Sequence, residues 1–201
     1  MGERLRIAKD APRPYQLRRR REAMAETRRR IIDAAVRLHG SVGPARTTMT
    51  AVAEGAGVTR ATLYRHFPTD GELFLASRAD WFRQHPPPDA DAWQGIPDPE
   101  RRLRWGLREV YAWFRATEAM TVNVLRDLAE LPPANRAGIA AATAARRMAL
   151  ADGWVGANER LRSAAIGHAL AFETWRSLAG QGLEDEEVIE LMVGLVRTAG
   201  G

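Results

Sequence analysis

Between Thr48 and Phe67 the chain reads TMTAVAEGAGVTRATLYRHF, and this stretch constrains the fold more than any other. Ala53, Gly57 and Leu63 stand at the spacing of a helix-turn-helix. Ala53 is small enough for two helices to cross over it, and Gly57 can take the left-handed backbone of the turn. Leu63 would plug the second helix into a core. Thr48 and Thr59 are placed to cap the two helices, and Val58 and Leu63 have the N′ and N4 spacing of a hydrophobic staple. With Leu63 and Phe67 facing inward, Arg60, Thr62 and Tyr64 remain on the outward face, where a recognition helix offers side chains to the major groove.

The charge is distributed to match. Residues 1–70 hold 15 Arg/Lys against 7 Asp/Glu, a balance of +8, whereas residues 71–201 hold 15 against 18, a balance of −3, for a net charge of +5. A basic half carrying a helix-turn-helix is the electrostatic footprint expected for phosphates, through counterion release. The leader from Arg13 to Arg30, RPYQLRRRREAMAETRRR, is expected either to extend the first helix or to form an arm reaching a minor groove.

Only helices are expected. Ile31, Ala35, Leu38 and Val42 form one stripe of a first helix that ends near Gly40 or Gly43. Thr69 and Glu72 make a T-x-x-E box opening a fourth helix that carries Leu73, Phe74, Ala76 and Trp81 as far as the prolines from Pro86. Residues 86–97 read as loop. Asp98 and Pro99 start a long helix to about Ala116, and a separate helix carries Val122, Leu125 and Leu128 to Pro132. An alanine-rich helix follows to about Ala151. Asn158 is then expected to cap one helix through Leu161, Ala165, His168, Phe172 and Trp175 that ends at Gly180 and Gly182. The last helix gathers Asp185, Glu186 and Glu187 at its positive end and turns Val188, Leu191, Met192, Leu195 and Val196 inward.

Other classes find little support. The chain has no cysteine, so thiol catalysis, disulfides and thiolate metal sites are excluded. His39, His66, His85 and His168 are scattered, and no HExxH, phosphate loop or GxSxG occurs, so neither an enzyme nor a metal or other cofactor is expected. The acidic run Glu184 to Glu187 is accounted for by a helix dipole. No apolar run approaches a membrane span, and no apolar segment follows the N-terminal arginines, so a cytoplasmic protein without membrane contact is expected.

Ile31 to Leu73, and above all GVTRATLYRHFPTDGELF from Gly57 to Phe74, resembles the N-terminal DNA-binding domain of tetracycline-repressor-type (TetR-type) transcriptional regulators. The likeness rests on Ile31, Ala35 and Leu38, the Gly43 loop, the Thr48 cap, Ala56 to Val58, Leu63 to Phe67 and the helix opening at Thr69, about a quarter of the chain. Beyond it only LAFETWRSLAGQGLEDEEVIELMVGLV near the C-terminus resembles the family in more than being helical.

The resemblance implies an all-α fold with three parts: an Arg-rich extension over 1–22, a three-helix DNA-binding domain over 23–68, and a helical effector-binding and dimerisation domain over 69–201. It implies double-stranded DNA as partner, contacted by Thr48, Thr50, Thr59, Arg60, Ala61, Thr62, Tyr64, Arg65 and His66. Arg60, Ala61 and Thr62 fall at base-reading positions, and Tyr64 and His66 where the family touches phosphate or sugar. Arg60 suits guanine O6 and N7, worth on the order of 1 to 3 kcal/mol of discrimination. One departure stands out: where the family commonly has a lysine gripping phosphate at the start of the fourth helix, this chain has Asp70.

The same resemblance implies a homodimer joined by the last two helices, with Phe172, Trp175, Val188, Leu191, Met192 and Leu195 at the interface. Two recognition helices about 34 to 36 Å apart would then read a palindrome. It also implies a small-molecule effector among Trp105, Tyr111, Trp113, Phe114, Met120, Val124, Leu125, His168, Phe172 and Trp175, and a repressor that the effector releases from its operator. The alternative is an effector-independent DNA-binding protein, architectural or activating, whose second lobe only dimerises.

Overall fold

The stripe Ile31, Ala34 and Ala35, all buried, anchors a first helix much longer than its apolar part requires. In the computed structural model, which describes residues 14–156 and 158–200, α1 runs unbroken from Pro14 to Ser41. The leader therefore extends the first helix, crossing the boundary drawn at residue 22 without a break. Residues 1–13 of that extension lie outside the described residues. From Tyr15 to Glu26 every side chain is exposed, and Arg18 pairs with Glu22 at 2.8 Å on this outer half. Val42 leaves the expected stripe and is exposed, because α1 ends at Ser41 and the chain turns through Gly43 at φ 97°.

After a 3-10 turn at Pro44–Arg46 come α2 (Met49–Ala56), α3 (Arg60–His66) and α4 (Asp70–Gln84). Their inner faces close one core of Ile31, Val52, Ala53, Leu63, Phe67 and Leu73. Thr69 caps α4 by accepting the Glu72 N–H at 3.2 Å.

The second lobe holds α5 (Pro99–Arg126), α6 (Pro133–Ala151), α7 (Glu159–Ala169), α8 (Phe172–Ala179) and α9 (Asp185–Thr198). Among the described residues there is no strand, and no helix is long and apolar enough to cross a membrane. Its core gathers Leu103, Leu107, Tyr111, Ile166, Trp175 and Val188.

Three local expectations are corrected here. The break near Ala116 does not occur: nothing between Ala116 and Arg126 is Pro or Gly, and the two expected helices are one, with the Thr117 hydroxyl satisfied by the Trp113 carbonyl at 2.7 Å. The single helix expected through Trp175 is instead divided into α7 and α8. The Ala169 carbonyl, which a continuous helix would give to an N–H four residues on, takes the Tyr111 hydroxyl at 2.8 Å, and Ala171 is extended. The proline-rich stretch read as loop contains a 3-10 turn at Ala90–Gly95, whose Trp93 is fully buried and donates to Glu109 Oε2 at 2.6 Å.

On α9 a capping box links Glu184 and Glu187, and the acidic first turn also reaches α5. Arg115 binds Asp185 through two nitrogens at 2.6 and 3.1 Å, Arg108 binds Glu186 at 2.6 and 2.9 Å, and Arg104 pairs with Glu190. Val188, Met192 and Val196 are buried as expected, but Leu191 and Leu195 are 49% and 40% exposed.

Candidate nucleic-acid interface and the cavity behind it

Each joint of the helix-turn-helix is fixed by a named bond. Thr48 accepts the Ala51 N–H at 3.1 Å and so caps α2. At the other end Gly57 adopts φ 64°, ψ 42°, and the Gly57 and Val58 amides donate to the Glu54 and Ala53 carbonyls, both at 3.0 Å. That pair of bonds is a Schellman closure, which needs the left-handed residue that glycine supplies. Thr59 then caps α3 by accepting the Thr62 N–H at 3.2 Å, while its own hydroxyl donates to Thr62 Oγ1 at 3.1 Å. Ala53, Leu63 and Phe67 are buried, Val58 packs beside them, and the Arg28 guanidinium lies over the Phe67 ring.

What remains outside is the surface expected from the sequence. Thr48, Thr50, Thr59, Arg60, Ala61, Tyr64 and Arg65 are exposed, and Thr62 and His66 are half-buried. Arg60 sits 5.9 Å from the Tyr64 ring centroid, so the two side chains form one outward unit. The His66 pKa is held below its usual value by burial first and then by Arg65 and Arg28, leaving the imidazole neutral at pH 7. Asp70 is exposed in the first turn of α4, where an acid complements the helix dipole.

Behind this surface lies a cavity of about 580 Å³. Of the residues expected at an effector site, Trp113, Phe114, Met120, Val124, Leu125 and Phe172 line this cavity. Four do not. Tyr111 and Trp175 are core residues whose polar atoms are spent on the Ala169 carbonyl and on Asp185 Oδ1, the latter at 2.9 Å. Burial, and then the Asp185 charge, push the Tyr111 phenol well above its ordinary range. Trp105 faces solvent and donates to Glu109, and His168 is exposed beside Thr174.

Sequence reasoning missed the rest of the wall. Val36 and His39 come from α1, and Phe74, Ser77, Arg78, Trp81 and Phe82 from α4; α6 adds Asn135, Ile139 and Arg146. The only available signal was the apolar width of α4, where Phe74, Trp81 and Phe82 exceed what the small first core can cover. His39 is buried against Phe74 and lies 3.5 Å from the Ser77 hydroxyl, and burial lowers its pKa to about 4. The helices α1 and α4 that pack against the helix-turn-helix are thus also walls of the cavity.

A second junction joins the lobes at the end of α5. Asn123 Nδ2 donates to the Gly40 carbonyl at 2.8 Å, Arg126 Nη2 to the Val42 carbonyl at 2.7 Å, and the Ala45 N–H to Asp127 Oδ2 at 3.1 Å. Arg126 Nε in turn binds Asp127 Oδ1 at 2.7 Å, and this contact, with the Ala45 amide, holds the Asp127 carboxyl below its usual pKa. A side chain at Gly43 would displace the Arg126 guanidinium and the Asp127 carboxylate from these bonds, and the positive φ there favours glycine.

Of the residues expected at a dimer interface, Phe172, Trp175, Val188 and Met192 are buried within the protomer itself, because they fill the space between α5, α8 and α9. Leu191 and Leu195 are exposed on α9, and Leu161 and Ala164 are exposed on α7, which packs against it.

Comparison with known proteins agrees with this geometry. Residues 31–77 match the family described as bacterial regulatory proteins, tetR family. The chain is similar to the HTH-type transcriptional regulator TtgR of Pseudomonas putida, 48% identical over 60 residues, which are 30% of this chain and 29% of TtgR. The curated relatives are therefore matched over less than a third of this chain. Among solved structures, a TetR-like transcriptional regulator from Rhodococcus sp. RHA1 superposes with a TM-score of 0.62 at 19% identity, covering 85% of this chain and 93% of that one. AibR, solved with isovaleryl coenzyme A and operator DNA, gives 0.59 at 24% identity over 84% of this chain and 97% of its own. These structural likenesses extend the shared fold over both lobes. The two threonine caps, the Gly57 closure and the buried Ala53 and Leu63 all lie within residues 31–77, the stretch that matches the tetR family of bacterial regulatory proteins.

Proposed function

We propose that the chain is a DNA-binding transcriptional regulator: a homodimeric repressor that reads a palindromic operator and is released by a small molecule held in the 580 Å³ cavity. The observation that carries this reading is the sharing of α1 and α4 between the reading head and the cavity wall. A ligand that fits one spacing of α4 against α5 better than another favours one orientation of α3. Differential affinity of that kind is what effector control requires. Among structural relatives, AibR is seen with both a coenzyme A ester and operator DNA, which supports two binding sites on one such fold. In this reading Arg60, Ala61 and Thr62 meet base edges, Thr48, Thr50, Thr59, Tyr64, Arg65 and His66 meet the backbone, and the exposed α7–α9 face carrying Leu161, Leu191 and Leu195 pairs with its copy.

The test is footprinting of the purified protein on the DNA flanking its own gene, followed by titration with extract of the source cells. Two protected half-sites one helical turn or a multiple apart, lost on adding extract, are expected. A single half-site would remove the homodimer, and a footprint unmoved by any extract would leave an effector-independent DNA-binding protein.

A further inference from the structure

The cavity wall is apolar except for a few groups, and their charges do not balance. Arg78 and Arg146 both line it, and neither has an acid within ion-pair distance among the described residues. Of the buried arginines elsewhere in this lobe, Arg102 binds Asp152 at 3.2 Å and the Ala149 carbonyl, and Arg162, which also has no acid partner, binds the Val155 and Gly200 carbonyls, each leaving its Nε unpartnered. Arg146 has only a 3.5 Å contact with the Pro88 carbonyl and the Trp113 ring 6.0 Å away, and burial lowers its pKa. Arg78 rests on the Phe82 ring. The sole acid on the wall, Glu173, is solvent-exposed, and His39 is neutral.

A second, independent feature points the same way. Asn135 is 3% exposed and lines the cavity, and its amide nitrogen has no hydrogen-bond partner. A buried amide donor left unmade is destabilising unless an acceptor arrives. A half-desolvated guanidinium without a counter-ion makes the same demand more strongly.

Accepting the cavity as the effector site, we infer that its ligand is an anionic amphiphile. An acid group pairs with Arg146 beside Trp113, and an apolar body extends along Phe114 and Val124 toward the part of the cavity lined by Arg78 and Asn135, where the Arg78 guanidinium offers donors to a second polar group. Arg146 and Asn135 lie 11 residues apart on α6, about 16 Å at 1.5 Å per residue, so the two demands sit at opposite ends of an elongated site. A guanidinium facing a carboxylate in a largely apolar pocket gives a charge-assisted contact that a neutral head group cannot reproduce. A cationic ligand would meet two like charges.

The test uses the full-length protein and 1-aminoanthracene, an uncharged fluorophore, with displacement by decanoate, 1-decanol and decyltrimethylammonium at pH 7.5. Decanoate should displace the dye at a concentration about tenfold lower than decanol, although decanol is the more hydrophobic, and the ammonium should be weakest. In Arg146→Gln the advantage of decanoate should vanish with decanol unchanged, while Arg146→Lys should keep part of it. Decanol or the ammonium matching decanoate would overturn the anionic assignment, as would an unchanged preference in Arg146→Gln, while dye binding still upheld the cavity as a site. Failure of the dye and of all three probes to bind a protein that still binds DNA would overturn the effector site itself, and the ligand class with it.

Discussion

Arg60 stands one residue after the cap of α3, exposed and stacked near Tyr64, so its removal subtracts a contact without disturbing a core. Arg60→Ala is expected to weaken binding to the cognate operator by about 1 to 3 kcal/mol and to leave nonspecific binding nearly unchanged, as measured by gel shift against cognate and scrambled duplexes. Asp70 acts in the opposite sense. Asp70→Lys should raise affinity for both duplexes by about tenfold in low salt and steepen the salt slope by about one, at a small loss of helix-dipole stabilisation in α4. His39 provides a third case, on stability. Its folded pKa of about 4 lies below the unfolded 6.5, so the unfolded chain binds more protons between those values. The stabilisation from keeping it neutral is complete above pH 6.5 and is lost as pH falls toward 4, at most about 3 kcal/mol. Urea unfolding of wild type and His39→Gln from pH 7.5 to 4.5 should show the wild type losing ground to the variant as pH falls; parallel curves would refute the assignment. The outward face of the helix-turn-helix was legible in the sequence because capping and turn chemistry are local. His39 was not, since its neighbours Phe74 and Ser77 come from a helix more than 30 residues away.

At the scale of elements, sequence signals succeeded where a break has its own chemistry and failed where tertiary contacts decide. Thr48, Thr59, Thr69 and Asp98 each cap the helix expected of them. The division of α7 from α8 depends on a hydroxyl from Tyr111, which no local pattern announces, and the continuity of α5 past Ala116 reflects only that nothing there stops it. Burial also separates two uses of apolar residues that periodicity merges: Val188 and Met192 hold α9 to its own protomer, whereas Leu191 and Leu195 face out. Substituting Leu191 and Leu195 together with glutamate should therefore leave helical content and thermal unfolding of the protomer within about 1 kcal/mol, since both are surface positions. It should shift the particle from dimer to monomer in light scattering and lower operator affinity. A particle of unchanged mass would move the pairing surface elsewhere.

Across the whole molecule the charge asymmetry seen in the sequence becomes a geometry. The arginines of the first lobe are largely exposed, whereas Arg104, Arg108 and Arg115 of the second are neutralised by acids of α9. Replacing Arg19, Arg20 and Arg21 with alanine should leave stability nearly unchanged but flatten the dependence of DNA affinity on salt by up to about three counterions, measured from gel shifts between 50 and 200 mM salt. An unaltered slope would mean that these turns stay clear of phosphate. The two lobes and the capped helix-turn-helix were readable in advance. The cavity's walls were not, because a hollow is defined by what several distant segments leave unfilled.

Helix α1 is gripped at one end, where Asn123 and Arg126 hold the Gly40 and Val42 carbonyls, and carries exposed arginines at the other. The distance between those ends is about 40 Å at 1.5 Å per residue. Such a rod magnifies small movements: a tilt of about 10° at the gripped end would swing Tyr15 through about 7 Å, or two base-pair rises of duplex. Rearrangements at the α5 junction that turn α1 together with the core packed on it would thus be written large at the tip, and a spectroscopic ruler with one label at position 15 and another on α5 would read them directly.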